Sequence, residues 1–240
     1  MIKFHIGCSG FYYKHWKGLF YPDKLPQNKW FEYYCQHFNT LELNVTFYRF
    51  PQLQFLQQWY QKSNADFIFA VKAPREITHY KKFNDSVERL SDFYDVVREG
   101  LADKLGCILF QMPPSYHFTE DHLQLIINSL DDSFKNVVEF RHSSWWNMDV
   151  CKKLSKHHII FCGMSYPGLP EVLVQNTDVV YYRLHGVPEL YTSPYSINAL
   201  QKLVDEIAKE NKAKEVFFYF NNDIGGSAIK NARQMQLMVK

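Results

Sequence analysis

Glu139, Arg141 and His142 fall within four positions of one another in VVEFRHSSWW, the stretch from Val137 to Trp146. A carboxylate, a guanidinium and an imidazole set so close can hold an anion, move a proton or ligate a metal. The stretch opens as an apolar run suited to a buried strand, on which side chains alternate between faces. Glu139 and Arg141 therefore share one face, while Val138 and Phe140 take the other. His142 has the parity opposite to Arg141 and is expected to pack outward. Charges at the end of a buried strand are costly unless they are paired or put to use.

The same pattern recurs wherever an apolar run ends. LELNVTF carries Glu42, Asn44 and Thr46 on one parity, a third run ends in Lys72, and a fourth ends in Gln111. VVYYRLHG gives Tyr181, Arg183 and His185 on one face; VFFYFNND gives Tyr219 and Asn221, then Asn222 and Asp223 at a turn. The first run ends in Cys8, Ser9 and Gly10 and leads into the aromatic loop FYYKHW.

Residues so scattered meet only if the elements carrying them all finish on one side. The strand candidates are Phe4 to Ser9, Leu41 to Phe47, Phe67 to Ala73, Gly106 to Gln111, Val137 to His142, Ile159 to Ser165, Val179 to His185 and Val216 to Asn222. Between them run helical patterns over Lys29 to Phe38, Gln52 to Lys62, Val87 to Gly100, Glu120 to Leu130, Met148 to His157, Ile197 to Glu210 and Ser227 to Val239. A weak segment, Glu171 to Gln175, fills the sixth place. Eight alternations imply parallel strands with helical crossovers, closed as a (β/α)8 TIM barrel in a single domain spanning 1–240. A doubly wound open sheet fits less well, since no GxGxxG follows the first strand. Thr119 and Ser86 stand where helix N-caps belong, and Gly100 where a helix should stop.

Composition narrows the classes. With 46% hydrophobic, 17% aromatic and 22% charged residues among 240, the chain can fill a large core. A net charge of +2 does not mark a nucleic-acid protein, so any anion site must be local. Five cysteines without a CxxC pair argue against a disulfide framework or a thiolate zinc site and for a reduced, cytoplasmic setting. No apolar run reaches the ~18 residues of a membrane helix, and no leader precedes FHIGCSG.

The pieces GCSGF, ELNVTFY, FAVKAP, LGCILFQMPP, EFRHSSW, YRLHG and YFNND, in that order, resemble the YecE-like family, also called domain of unknown function 72. The resemblance covers nearly the whole chain. It implies a TIM barrel related in shape to those of apurinic endonucleases and sugar isomerases, and it brings no established reaction.

At the C-terminal mouth of such a barrel, Arg141, Arg183 and Lys72 are expected to hold an anion, most simply a phosphate. Glu42, Glu139 or His185 would move a proton. Asn44, Gln111, Trp145, Asn221, Asn222 and Asp223 would orient the substrate. Gly225, Gly226 and Ser227 open the last helix, where free N–H groups favour anions. Phe11, Tyr12, Tyr13, Trp16, Trp145 and Trp146 offer stacking surfaces wherever they reach the mouth. The expected partner is thus a small anionic ligand (nucleotide, nucleic-acid phosphodiester or sugar phosphate), with no cofactor called for.

Four other readings compete. Glu42 and Glu139 could neutralise the three cations in a buried network that binds nothing. Glu42, Glu139, His185 and Asp223 could ligate a divalent metal, although three nearby cations would repel it. Ser9 or Cys8 could be a nucleophile with His185 as base, although GCSG is not a GxSxG elbow. The chain could also be a noncatalytic binder of single-stranded nucleic acid that uses the aromatic loops, Lys81 and Lys82.

Overall fold

The computed structural model describes residues 2–209 and 212–239. Nine parallel strands form one sheet: β1 (Lys3–Ser9), β2 (Thr40–Leu43), β3 (Ile68–Lys72), β4 (Leu105–Gln111), β5 (Lys135–Glu139), β6 (Ile160–Phe161), β7 (Gly163–Ser165), β8 (Val179–Leu184) and β9 (Glu215–Phe220). They run β6-β5-β4-β3-β2-β1-β9-β8-β7. β6 pairs with β5 and β7 with β8, and between the two only Cys162 intervenes. Its N–H donates to the Val138 carbonyl at 2.9 Å. The two pieces are therefore one broken stave, the sixth of eight, and the sheet curls into a nearly closed TIM barrel.

Several strand ends differ from the sequence pattern. The second strand stops at Leu43, and Val45–Tyr48 form a helical turn, α2. The Thr46 hydroxyl holds this turn by donating to the carbonyls of Leu43 (2.9 Å) and Lys72 (2.6 Å). A side-chain hydroxyl serving the backbone competes with strand pairing, which apolar periodicity does not register. β5 likewise ends at Glu139, so Arg141 and His142 stand on the loop beyond it.

Around the staves run α1 (Trp30–Cys35), α3 (Leu53–Lys62), α4 (Val87–Leu101), α5 (Glu120–Ser129), α6 (Met148–Lys156), α7 (Ile197–Lys209) and α8 (Ser227–Met238). Glu210, expected as the end of α7, lies outside the described residues. The helix expected over Glu171–Gln175 does not form; Pro167, Gly168 and Pro170 precede it and favour extended chain. Where that helix would pack, a groove of about 970 Å³ remains, lined by Trp146, Phe161, Leu173 and Val174.

Thr119 does cap α5, accepting from the His122 N–H at 3.0 Å. Ser86 does not cap α4; its hydroxyl donates to the Asn84 carbonyl instead. Gly100 is not a stop signal either. It lies inside α4, where a Cβ would stand 2.5 Å from Leu56 Cβ, so the glycine permits α3 and α4 to touch.

Strand parity divides the core in two. Ile6, Leu41, Phe69, Phe110, Phe140 and Phe218 face the helices. Ala70, Leu109, Val137, Tyr181, Phe217 and Tyr219 fill the barrel interior. Continuing the inward parity toward the C-terminal ends brings Glu42, Lys72, Gln111, Glu139 and Arg183 above that packed plug, where barrels carry their chemistry.

Candidate active site at the barrel mouth

Arg183 on β8 occupies the centre of a buried charge layer. Its Nη2 donates to Glu42 Oε1 at 2.7 Å and its Nε to Glu42 Oε2 at 2.9 Å, while Nη1 reaches Glu139 Oε2 at 2.7 Å. Glu42 is completed by the Tyr181 hydroxyl at 2.6 Å, donated from the interior below. Glu139 is completed by Arg141, whose Nε donates to Oε1. Burial alone would raise the Glu139 carboxyl, but Arg141 and Arg183 hold it well below the usual range. Both carboxylates and Arg183 are closed off from solvent.

His185 lies just past β8 and is also buried. Its Nε2 is 3.0 Å from Arg141 Nη2 and 3.3 Å from Arg183 Nη1. Guanidinium groups can only donate, so Nε2 accepts and the ring proton sits on Nδ1. Nδ1 lies 3.0 Å from Asn221 Nδ2, so its proton finds an acceptor there when the amide is turned to present its oxygen instead. Burial, then Arg141 and Arg183, push the imidazole well below its ordinary value. His185 is therefore neutral, and its lone pair is already engaged.

Above this layer stands a second, less complete one. Lys72 on β3 makes one side-chain hydrogen bond, to Gln111 Oε1 at 2.8 Å, and its Nζ lies 4.1 Å from the centre of the Phe47 ring. No carboxylate among the described residues pairs with it. Burial and then Arg183 depress the ammonium from 10.5 to about 7. His79, from the loop after β3, is likewise lowered to about 4 by burial, then by Lys72 and Arg141. Arg141 lies under the Tyr166 ring, 4.0 Å from its centre. Nearby, at the ends of β1 and β2, Ser9 Oγ and Asn44 Oδ1 are buried without a hydrogen-bond partner.

Three residues expected at the mouth serve elsewhere. Trp145 is fully buried, stacked 4.0 Å from Phe140 on the helix side, with Nε1 donating to the Tyr116 carbonyl at 2.6 Å. Six residues beyond β5 the strand alternation has lapsed, so parity no longer steers it. Asn222 is buried and donates to Ser193 and Asn231, which ties the turn after β9 to α8. Asp223 meets His15 of the first loop at 3.6 Å. At the start of α8, the N–H groups of Gly226 and Ala228 are already taken by the Asp223 and Asn222 carbonyls. Trp16 is buried as well, and Cys8 is buried with its thiol pushed upward, unsuited to nucleophilic work.

Phe47, His79 and Tyr166 were not among the expected site residues. Tyr166 follows directly on β7, whereas Phe47 stands four residues past β2 and His79 seven past β3, where strand parity carries no signal. Among the described residues, no group of three or more His, Cys, Asp or Glu is disposed to hold a metal, and no helix is long and apolar enough to cross a membrane.

Residues 5–240 match the profile of the family described as "Protein of unknown function DUF72". The chain belongs to this family. The UPF0759 protein YunF of Bacillus subtilis is 24% identical across 90% of the DUF72 chain and 88% of its own length. The UPF0759 protein YecE of Escherichia coli K12 is 26% identical, over 65% of the chain and 55% of YecE. A DUF72 family protein of Thermotoga maritima superposes with a TM-score of 0.89 at 29% identity, covering 99% of both chains. One from Enterococcus faecalis gives 0.81 at 20% identity, over 100% of this chain and 98% of the other. A xylose isomerase-like TIM barrel fused to a 4-hydroxyphenylpyruvate dioxygenase aligns at 0.52 and 11% identity, covering 97% of this chain and 41% of that one. That last likeness extends to the fold.

Proposed function

We propose that the barrel mouth is an enzyme active site for a small anionic substrate, of which phosphate-bearing compounds are the first candidates. One observation carries this reading: the mouth gathers three cations, Lys72, Arg141 and Arg183, around only two carboxylates, Glu42 and Glu139. A buried positive charge without a counter-ion is unfavourable, and an anion seated between Lys72 and Arg141 would supply one. Arg183 is saturated by carboxylates and acts as the scaffold. Asn221, Gln111 and the unpartnered Ser9 Oγ and Asn44 Oδ1 offer neutral contacts for orientation. Glu42 and His185 have their lone pairs committed within the protein, so the proton-moving role falls to Lys72, which changes charge near neutrality.

Calorimetric titration with inorganic phosphate tests the reading. Binding should weaken at least tenfold in Arg141→Met, with cooperative unfolding retained. Absence of binding to the unmodified protein, or binding indifferent to this substitution, would overturn it.

A second reading, binding of single-stranded nucleic acid, is favoured by the exposed rim. Arg75 lies 5.9 Å from the Tyr48 ring and 5.4 Å from the Tyr80 ring, and both tyrosines are two-thirds exposed. Such a ladder suits stacking on bases. It requires affinity for an oligonucleotide that falls steeply with salt and is lost in Tyr80→Ala.

A further inference from the structure

Lys72 combines features that an anion-holding lysine does not need. Its stem comes off the last residue of β3, so the backbone fixes where the amine can go. The nitrogen is buried, and its single acceptor among the described residues, Gln111, is a neutral amide. Phe47 covers one side. The titratable groups around it are His79 from the loop after β3, Arg141 after β5, Arg183 on β8, and the carboxylates of Glu42 and Glu139. Both carboxylates are turned toward Arg183 and Arg141 instead. An amine desolvated beside other cations loses its proton readily and becomes a nucleophile at neutral pH.

We infer that Lys72 is a covalent nucleophile that forms a Schiff base with a small carbonyl compound whose anionic group is held at Arg141. This deepens the active-site reading above and rests on it. The Nζ lone pair attacks the carbonyl carbon, forming the C–N bond as the carbonyl electron pair moves to oxygen. The two protons of the neutral amine then leave with that oxygen as water, and a C=N bond remains. The Phe47 face excludes water from one side, and Gln111 orients the amine. The unpartnered Ser9 Oγ and Asn44 Oδ1 supply hydrogen-bonding groups at the same mouth. The carbonyl compound could carry a carboxylate, as a 2-oxo acid does, or a phosphate, as a short aldose phosphate does; the shared element is a carbonyl close to an anion.

Borohydride trapping tests the inference. The whole protein is incubated with glyoxylate, with glycolaldehyde phosphate or with neutral propanal, reduced with sodium borohydride and mapped by peptide mass spectrometry. Lys72 should be alkylated at least tenfold faster than the exposed Lys81 and Lys152. The rate should rise with pH through about 7 and then level, as the amine deprotonates. Arg141→Met should slow trapping of the two anionic probes at least tenfold while changing the propanal rate less than threefold. Preference between glyoxylate and glycolaldehyde phosphate names the anion. Lys72→Arg keeps the charge and removes the nucleophile, so trapping at this position should vanish. Trapping at Lys72 no faster than at the exposed lysines would overturn the Schiff base. If phosphate still binds in that case, the anion site survives without it; if phosphate also fails to bind, both readings fall.

Discussion

Two lysines in this barrel are almost equally buried, Lys104 at 6% exposed and Lys72 at 8%, yet their surroundings differ in kind. Lys104 lies below the end of α3 and donates to the Tyr60 carbonyl at 2.7 Å, the Ser63 carbonyl at 3.0 Å and the Ser63 hydroxyl at 2.8 Å. Its three donors meet three acceptors at a helix C-terminus, where the backbone dipole favours a cation. Lys72 has one acceptor, and two guanidinium groups contribute to its depressed proton affinity. The first lysine completes a structure and the second leaves one incomplete. Burial by itself therefore does not distinguish a scaffold charge from a working one; the count of partners does.

The largest effect should come from breaking the layer on which that contrast rests. Arg183→Met leaves Glu42 and Glu139 facing each other without their shared guanidinium. Removing one partner of a buried ion pair costs roughly 3–5 kcal/mol, and here two carboxylates lose their bridge. Urea unfolding at pH 7 should register a loss of that size. A loss below about 1 kcal/mol would mean that the layer is solvated and that its partners are not what holds Arg183 in place.

Substituting the two lysines by the same residue should give opposite signs. Lys104→Met strips the α3 carbonyls of their donor and should destabilise by about 2 kcal/mol. Lys72→Met replaces an under-solvated ammonium by a thioether of similar length and should stabilise at pH 6, by roughly 2–4 kcal/mol from the linkage between proton affinity and folding. The pH dependence follows from the direction of the shift. The folded-state value is about 7 against 10.5 for a free lysine, so between these limits the unfolded chain binds more protons than the folded one. Wild-type stability then rises with pH across that window, and the advantage of Lys72→Met shrinks to near zero by its upper end. Chemical denaturation at several pH values would show both trends. A destabilised Lys72→Met at pH 6 would place Lys72 with Lys104 as a structural cation.

How much of this contrast the sequence carries depends on what kind of information each part needs. The eight-fold alternation and the inward parity of Glu42, Glu139 and Arg183 are periodic properties, and periodicity is set by backbone geometry alone. They could be read directly. Trp145 marks the limit of periodicity: six residues past the end of β5 the alternation has no meaning, and its ring is turned to the Phe140 side. The helical turn at Val45–Tyr48 depends on one hydroxyl finding the Lys72 carbonyl across the gap from another strand. Which cation is left over is further from reach. It depends on Arg183 being long enough and central enough to engage two carboxylates 97 residues apart in sequence, a fact of three-dimensional distance.

Gln111 offers the smallest and sharpest perturbation, because it supplies the only acceptor Lys72 has among the described residues. Gln111→Leu keeps side-chain size while removing that acceptor together with the bond from Nε2 to the Met112 carbonyl. The stability change should be modest, about 1 kcal/mol or less, since a neutral amine tolerates the loss. The charged form does not, because Phe47, His79 and the guanidinium groups remain beside it while the Glu42 and Glu139 carboxylates are turned to the arginines. Lys72 should therefore release its proton at still lower pH, and the midpoint of borohydride trapping against pH should move down by about one unit. If the midpoint stays put, Lys72 has another acceptor in solution, and its likeness to Lys104 would be closer than their partners in the fold suggest.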